Sequence, residues 1–312
     1  MAVTPALIRE LRELSGSGMS DCKKALEETG GDMKKAVAFL REKGLAAAAK
    51  KSGRIAAEGV VAVNVTDDNK KAVIVEVNCE TDFVAINPQF KAYVQEVADQ
   101  LIGSPNVENM EAFLEEPWAK DTTQTVSEVL KGKIATIGEN INIRRFSHFE
   151  RNNPGIYSSY IHGGGKIGVI LDIECANVTP ALQEMGYNLC MQIAAMFPKY
   201  LTRDEVDAEF IAEERRILSQ AAKNDPANAS KPENVIEKMV EGRLSKQLQE
   251  ICLVEQAYVR EPGMTVKQYV ENVSKEIGSA IKLARFACYE KGEGIEKKQE
   301  DFAAEVSKAM QG

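Results

Sequence analysis

The 312-residue chain has two histidines, His148 and His162, and one tryptophan, and its six cysteines form no Cys-x-x-Cys pair. A zinc site of the usual ligand spacing is therefore not written here. Two histidines also leave no confident way to assemble a Ser, His and acid arrangement, and scattered acids such as Asp204, Glu205 and Asp207 read as solvated helix faces. The expectation is a protein that is not an enzyme and needs no cofactor. An excess of basic charge is also missing: 39 Lys plus Arg against 47 Asp plus Glu give a formal charge of -8. That balance opposes sequence-independent binding to a phosphate backbone, so no direct nucleic-acid partner is expected. No apolar run reaches 18 residues, and the N-terminus enters a capped helix almost at once. Neither a membrane span nor a leader is expected, and the chain reads as soluble and cytoplasmic. The cysteines then read as small buried residues in a reducing compartment.

What is present is 44% hydrophobic content, enough for two or three domains without covalent staples. Thr4 and Pro5 start a helix whose Leu7, Ile8, Leu11 and Leu14 recur on one face. A second helix from about Ser20 buries Cys22, Ala25 and Leu26, and a third, capped by Asp32, carries Met33, Ala36, Val37 and Leu40 to Gly44. The spacing predicts a compact three-helix bundle over 1–44, similar to ubiquitin-associated domains. Met19, an apolar residue after a Gly-containing loop, packs in the core or meets a partner. The small, basic stretch 45–56 reads as a partly helical tether.

Sliding the chain against itself reveals a duplication. Residues 59–101 match 155–197 at an offset of 96, with Val73-Ile-Val-Glu-Val-Asn-Cys79 falling on Val169-Ile-Leu-Asp-Ile-Glu-Cys175. Further on the offset is 140, with Ile141-Asn-Ile-Arg-Arg-Phe146 on Ile281-Lys-Leu-Ala-Arg-Phe286. Each copy reads as a two-strand hairpin, a helix, a variable stretch, a second helix and a closing strand. An α+β fold is expected, with two three-stranded antiparallel sheets, each carrying helices on one face. The copies span 57–151 and then 152–197 with 242–291. The difference between 140 and 96 places 44 extra residues at about 198–241, where Val206, Phe210, Ile217 and Ala221, then Ile236, Val240, Leu244 and Leu248, predict a protruding coiled-coil hairpin. That hairpin is either decoration or an arm for a partner or a second copy. A last module, 292–312, holds Gly292-Glu-Gly294 and a helix from about Glu300 to Met310 that closes the core with Phe302, Val306 and Met310.

Comparing the copies isolates Thr81-Asp82-Phe83-Val84. A bulky aromatic beside an acid, leaving a strand, is either a helix cap with a buried ring or a projecting contact. The second copy has Asn177-Val178-Thr179-Pro180 there, although the preceding strands match, and this favours the projecting contact. His162-Gly163-Gly164-Gly165-Lys166 lacks the four-residue gap and the Ser or Thr of a P-loop, and reads as a hairpin turn.

The tetrad at 81–84, Asp21-Cys-Lys-Lys-Ala-Leu26, Ile137-Gly-Glu-Asn-Ile-Asn-Ile-Arg-Arg145, Gly292-Glu-Gly-Ile-Glu296 and Asp301-Phe-Ala-Ala-Glu305 together resemble the elongation factor Ts family, in order and over nearly the whole chain. The resemblance implies a guanine nucleotide exchange factor that binds elongation factor Tu with GDP, displaces magnesium and GDP, and lets GTP refill the site. It implies that Thr81, Asp82, Phe83 and Val84 make the displacing contact, with Phe83 as a wedge. Arg12 and Met19 match positions that meet the partner's nucleotide-binding domain, His162 one that meets a distal domain, and the C-terminal module also lies against the nucleotide-binding domain. The competing readings are a ubiquitin-associated-type adaptor using the first 44 residues alone and an RNA-binding translation protein with a steep salt dependence.

Overall fold

A computed structural model describes residues 3–228 and 231–296. The helix expected at 300–310 lies outside the described residues, as do Phe302, Val306 and Met310.

Three helices open the chain, α1 (Pro5–Ser15), α2 (Met19–Glu28) and α3 (Met33–Lys51). Thr4 caps α1 by accepting from the Leu7 N–H, and Asp32 caps α3 by accepting from the Lys35 N–H. Leu11, Cys22, Ala25, Leu26, Ala36 and Leu40 form the small core. Two residues of the expected apolar faces point outward: Leu14 is 66% exposed and Val37 is 38% exposed. On α3 the inward position is taken by Phe39, which packs on the bundle core with Met33, Ala36 and Leu40.

The stretch 45–56, expected as a partly helical tether, is helix as far as Lys51. Alanine-rich sequence favours helix strongly, and α3 runs through Gly44 to Lys51. Gly44 lies against α7 (Val126–Ile137), where a Cβ on it would sit 3.2 Å from Ala135 Cβ, and Ala48 is buried in the first copy's core. An Arg41–Glu128 ion pair completes this joint. The bundle is thereby packed on the core instead of hanging from it.

The duplicated unit is present as expected. In the first copy β1 (Glu58–Val65), β2 (Lys71–Cys79) and β5 (Ile141–Glu150) form an antiparallel sheet in the order β1-β2-β5. Between β2 and β5 run α4 (Asp82–Ile86), α5 (Pro88–Ile102), α6 (Met110–Leu114), a small hairpin of β3 (Pro117–Trp118) and β4 (Asp121–Thr125), and α7. In the second copy β6 (Gly155–His162), β7 (Ile167–Cys175) and β10 (Ile281–Glu290) form the sheet β10-β7-β6. Its connections are α8 (Pro180–Met196), the inserted α9 (Ala208–Asn224) and α10 (Glu233–Ile251), the hairpin of β8 (Ala257–Tyr258) and β9 (Glu261–Thr265), and α11 (Val266–Ile277). The repeat extends to detail. Thr125 with Glu128 and Thr265 with Gln268 form matching capping boxes, and Gly138 and Gly278 end the two helices in the left-handed conformation.

Both sheets are buried on both faces, which explains why their central strands read as nearly continuous apolar runs. One face of the first sheet, with Val73, Val75 and Val77, packs on Phe90, Val94 and Val97 of α5. One face of the second, with Val169, Leu171 and Ile173, packs on Leu182, Met185 and Leu189 of α8. The opposite faces meet each other through Val61, Ile74, Phe149, Tyr157 and Ile170.

The inserted hairpin is also present, with a phase correction. Phe210, Ile217 and Ala221 are exposed, while Ile211, Leu218 and Ala222 turn inward. Val206 precedes the first turn of α9, so spacing counted from it does not carry the helical phase. On α10 the expected Val240, Leu244 and Leu248 are buried. Five of the six cysteines are buried and Cys288 is half-buried. No helix among the described residues is long and apolar enough to cross a membrane.

Candidate functional site

The stretch leaving β2 is built to hold one short helix in place while showing its far side. Thr81 is the N-cap of α4: its hydroxyl accepts from the Val84 N–H at 3.3 Å and donates to Glu139 Oε1 at 2.5 Å. The other oxygen of Glu139 accepts from the N–H groups of Glu80 at 3.1 Å and Thr81 at 3.0 Å. Glu80 returns the contact, accepting from the Asn140 N–H at 2.6 Å. Two segments 58 residues apart in sequence therefore clasp each other through charged acceptors, which make the stronger class of hydrogen bond. The Cys79 thiol, donating to the Thr81 carbonyl at 3.2 Å, is held in its protonated form by burial and by the nearby Glu139 carboxylate, which push its pKa up to about 12.

Below α4, Val84 packs against the first core and Ala85 is buried. Above it, Asp82 is exposed and Phe83 is 79% exposed, the most open large apolar side chain among the described residues. Ile86, one helical turn on, is 68% exposed and was not singled out from the sequence. Its signal was available: an apolar residue three positions after Phe83 on one short helix shares its face. The Asn87-Pro88 pair then ends α4 and starts α5, with Asn87 accepting from the Gln89 N–H at 2.8 Å. In the second copy Thr179 and Pro180 open α8 directly, and one continuous helix replaces the α4–α5 pair. The projecting helix is thus a local departure from the repeat.

The other sequence-selected residues stand on separate elements. Arg12 on α1 is exposed, and Met19, the first residue of α2, is 43% exposed and lies outside the bundle core. His162 ends β6 at the Gly163–Gly165 turn, where its Nδ1 lies 2.9 Å from the Tyr160 hydroxyl. That turn is not a phosphate cradle: the Gly165 carbonyl accepts from the Val61 N–H at 2.8 Å, tying the second sheet's hairpin to the first sheet's edge. The described residues contain no group of three or more His, Cys, Asp or Glu able to hold a metal ion.

A family model described as Elongation factor TS matches residues 80–293. An elongation factor Ts of Clostridium tetani (strain Massachusetts / E88) is 50% identical over 309 residues, covering 99% of this chain and 100% of the relative. Elongation factor Ts of Clostridioides difficile (strain 630) is 49% identical over 308 residues, covering 99% of each, and that of Clostridium novyi (strain NT) is 48% identical over 308 residues with the same coverage.

This chain belongs to the elongation factor Ts family. Membership makes it a translation elongation factor of the nucleotide-exchange kind. The matched span begins at Glu80, next to Thr81, and ends at Glu293, so it holds both the α4 segment and the Glu139 that anchors it.

Proposed function

We propose that the chain acts on elongation factor Tu carrying GDP, and that Phe83 is the side chain that opens the partner's nucleotide site. The observation that carries this reading is a phenylalanine 79% exposed on a helix whose base is fixed by Glu139. Exposing a phenylalanine forgoes about 1.5–3 kcal/mol of burial, which a partner pocket can recover. Recovered only when partner helices part, that energy becomes differential binding to the opened state.

Asp82, exposed beside Phe83, turns its carboxylate toward polar groups of the same partner helices. Moving those helices shifts residues around the GDP-bound magnesium and weakens the largest positive charge on the phosphates. By linkage, the factor by which the exchange protein prefers the nucleotide-free partner is the factor by which it weakens GDP. A shift of a few thousandfold requires about 5 kcal/mol of such preference. No covalent bond changes, so no catalytic residue is assigned. Arg12 and Met19 on the bundle supply a second contact, with the nucleotide-binding domain, and His162 a third, with a distal domain. The packing of α3 on α7 supports this division, since contacts on a fixed frame bind without first paying to order it.

The test is release of a fluorescent GDP analogue from purified elongation factor Tu. Wild-type protein should accelerate release, and Phe83→Ala should be slower by roughly 30-fold, equivalent to about 2 kcal/mol, with an unchanged circular dichroism spectrum. Equal rates would remove Phe83 from the mechanism. No acceleration by either would return the choice to an adaptor built on the first bundle.

A further inference from the structure

The motif Ile137-Gly-Glu-Asn-Ile-Asn-Ile-Arg-Arg145 holds more than the base of α4. Next to Glu139, the Asn140 side chain donates from Nδ2 to the Arg54 carbonyl at 2.8 Å, and its backbone N–H donates to Glu80 Oε1 at 2.6 Å. The same Glu80 oxygen lies 3.4 Å from the Arg54 guanidinium. Arg54 stands just past Lys51, the end of α3, in the chain that runs from the bundle into β1. Two dipeptides, Glu80-Thr81 and Glu139-Asn140, therefore hold two separate segments. Thr81 with Glu139 fixes α4, and Glu80 with Asn140 fixes the tether. Asn140 is 8% exposed, so water competes little for its bond to the tether, whereas the Arg54–Glu80 ion pair has a half-exposed arginine and contributes less.

The second copy shows what this clasp is not needed for. At the offsets of 96 and 140, Glu80, Thr81, Glu139 and Asn140 fall on Ala176, Asn177, Ser279 and Ala280, which carry no carboxylate. The backbone still takes the same course. The Cys175 thiol donates to the Asn177 carbonyl at 3.3 Å, as the Cys79 thiol does to that of Thr81, and Gly278 ends α11 as Gly138 ends α7. Neither turn requires the clasp. What the second copy also lacks are the two segments that the clasp holds: α8 starts with no projecting helix before it, and β6 is entered directly from β5, with no bundle or tether between them. Clasp, tether and projecting helix occur together in one copy and are missing together from the other.

We propose that Asn140 is a positioning residue for exchange: by pinning the tether to the base that also holds α4, it sets the bundle and Phe83 at one fixed spacing for a single partner. This rests on the reading that Met19 on the bundle and Phe83 on α4 touch the same protein. The packing of α3 on α7 keeps the bundle on the core, and the bond to Arg54 fixes the end of that helix. Two contacts on one rigid body present the second at high effective concentration once the first has formed, and a loosened tether lowers that concentration. Phe83 keeps its own anchor in Thr81 and Glu139. Loss of Asn140 therefore weakens capture of the partner and spares the opening step.

The experiment measures GDP release from elongation factor Tu against the concentration of the full chain. Asn140→Ala keeps the backbone N–H that Glu80 accepts and removes only the bond to the tether, and Asn140→Asp keeps the shape but not the donor. In both, the half-saturating concentration should rise about fivefold while the plateau rate stays within about twofold of wild type. Met19→Ala should raise the half-saturating concentration by itself, and the Met19→Ala, Asn140→Ala double variant should show less than the product of the two effects, because a weakened bundle contact leaves less to position. A merely structural asparagine would lower Tm and leave half-saturation where it was. That result, wild-type behaviour of Asn140→Asp, or a double variant equal to the product would overturn the proposal alone. No effect of Met19→Ala would overturn the bundle contact and the proposal with it.

Discussion

Glu139 and Glu76 show how much a single carboxylate arranges here. Glu139 takes three donors from the segment before α4, and charged hydrogen bonds of this kind contribute about 1.5–3 kcal/mol each when a buried partner is left behind. Glu139→Ala should therefore lower Tm by several degrees and slow GDP release by about tenfold or more, because 1.4 kcal/mol of lost positioning is a factor of ten. Release kinetics and a thermal melt on the same preparation check both outcomes. Glu76 is fully buried, and burial alone would raise its pKa. The Gly292 N–H, Asn78 and Arg145 outweigh burial and hold it below the usual carboxylate value. A folded-state pKa below the unfolded one means stability that is complete above the unfolded value and is lost as pH falls through the folded value. Urea unfolding from pH 6 down to pH 2 should show a steeper acid loss for wild type than for Glu76→Gln below about pH 4.3, the ordinary carboxylate range.

At the scale of elements, sequence reading and structure part company at α3 and agree at α4. The run Leu45–Ala49 has no apolar stripe and reads as a partly helical tether, yet it is packed on the core, because Gly44 and Ala48 are small enough to let α3 lie close on α7. Small residues at a helix contact leave no hydrophobic periodicity to find. Gly44→Leu should push α3 off α7, destabilise the protein by about 1–3 kcal/mol through overpacking, and weaken binding to the partner without touching Phe83. A denaturant midpoint and an affinity measurement decide this, and unchanged values in both would mean the joint is loose. For α4 the comparison of copies was the better guide. The strands before Thr81 and Asn177 match, so the exposed Phe83 could be suspected before any coordinate was known. Ile86 follows from Phe83 once the two are placed on one short helix, since three positions on is the same face.

The whole molecule is held together where the copies cross. The turn after β10 docks on the first sheet, and Lys291 pairs there with Glu58 while Glu293 pairs with Arg145. Gly292 has φ of 70°, and a Cβ on it would stand 2.0 Å from the Ala57 carbonyl oxygen. Gly292→Ala should therefore cost more than 1 kcal/mol and shift the whole unfolding transition, since left-handed strain and a backbone clash add together. Differential scanning calorimetry showing one cooperative peak at lower temperature is the expected result; a split peak would mean that the copies unfold independently.

The amino-acid sequence alone determined the duplicated α+β unit, the position of the inserted hairpin and the tetrad that breaks the repeat. These rest on local periodicity, capping residues and self-similarity, which are properties of neighbouring residues along one chain. Only the tertiary structure decided that the two sheets face each other, that α3 is fixed to α7, and that Glu139 locks the base of α4. It alone joined the tether to the base of α4 through Asn140. Those outcomes depend on which residues distant in sequence share a small volume, and burial, close approach and hydrogen-bond partners become visible only when that volume is closed.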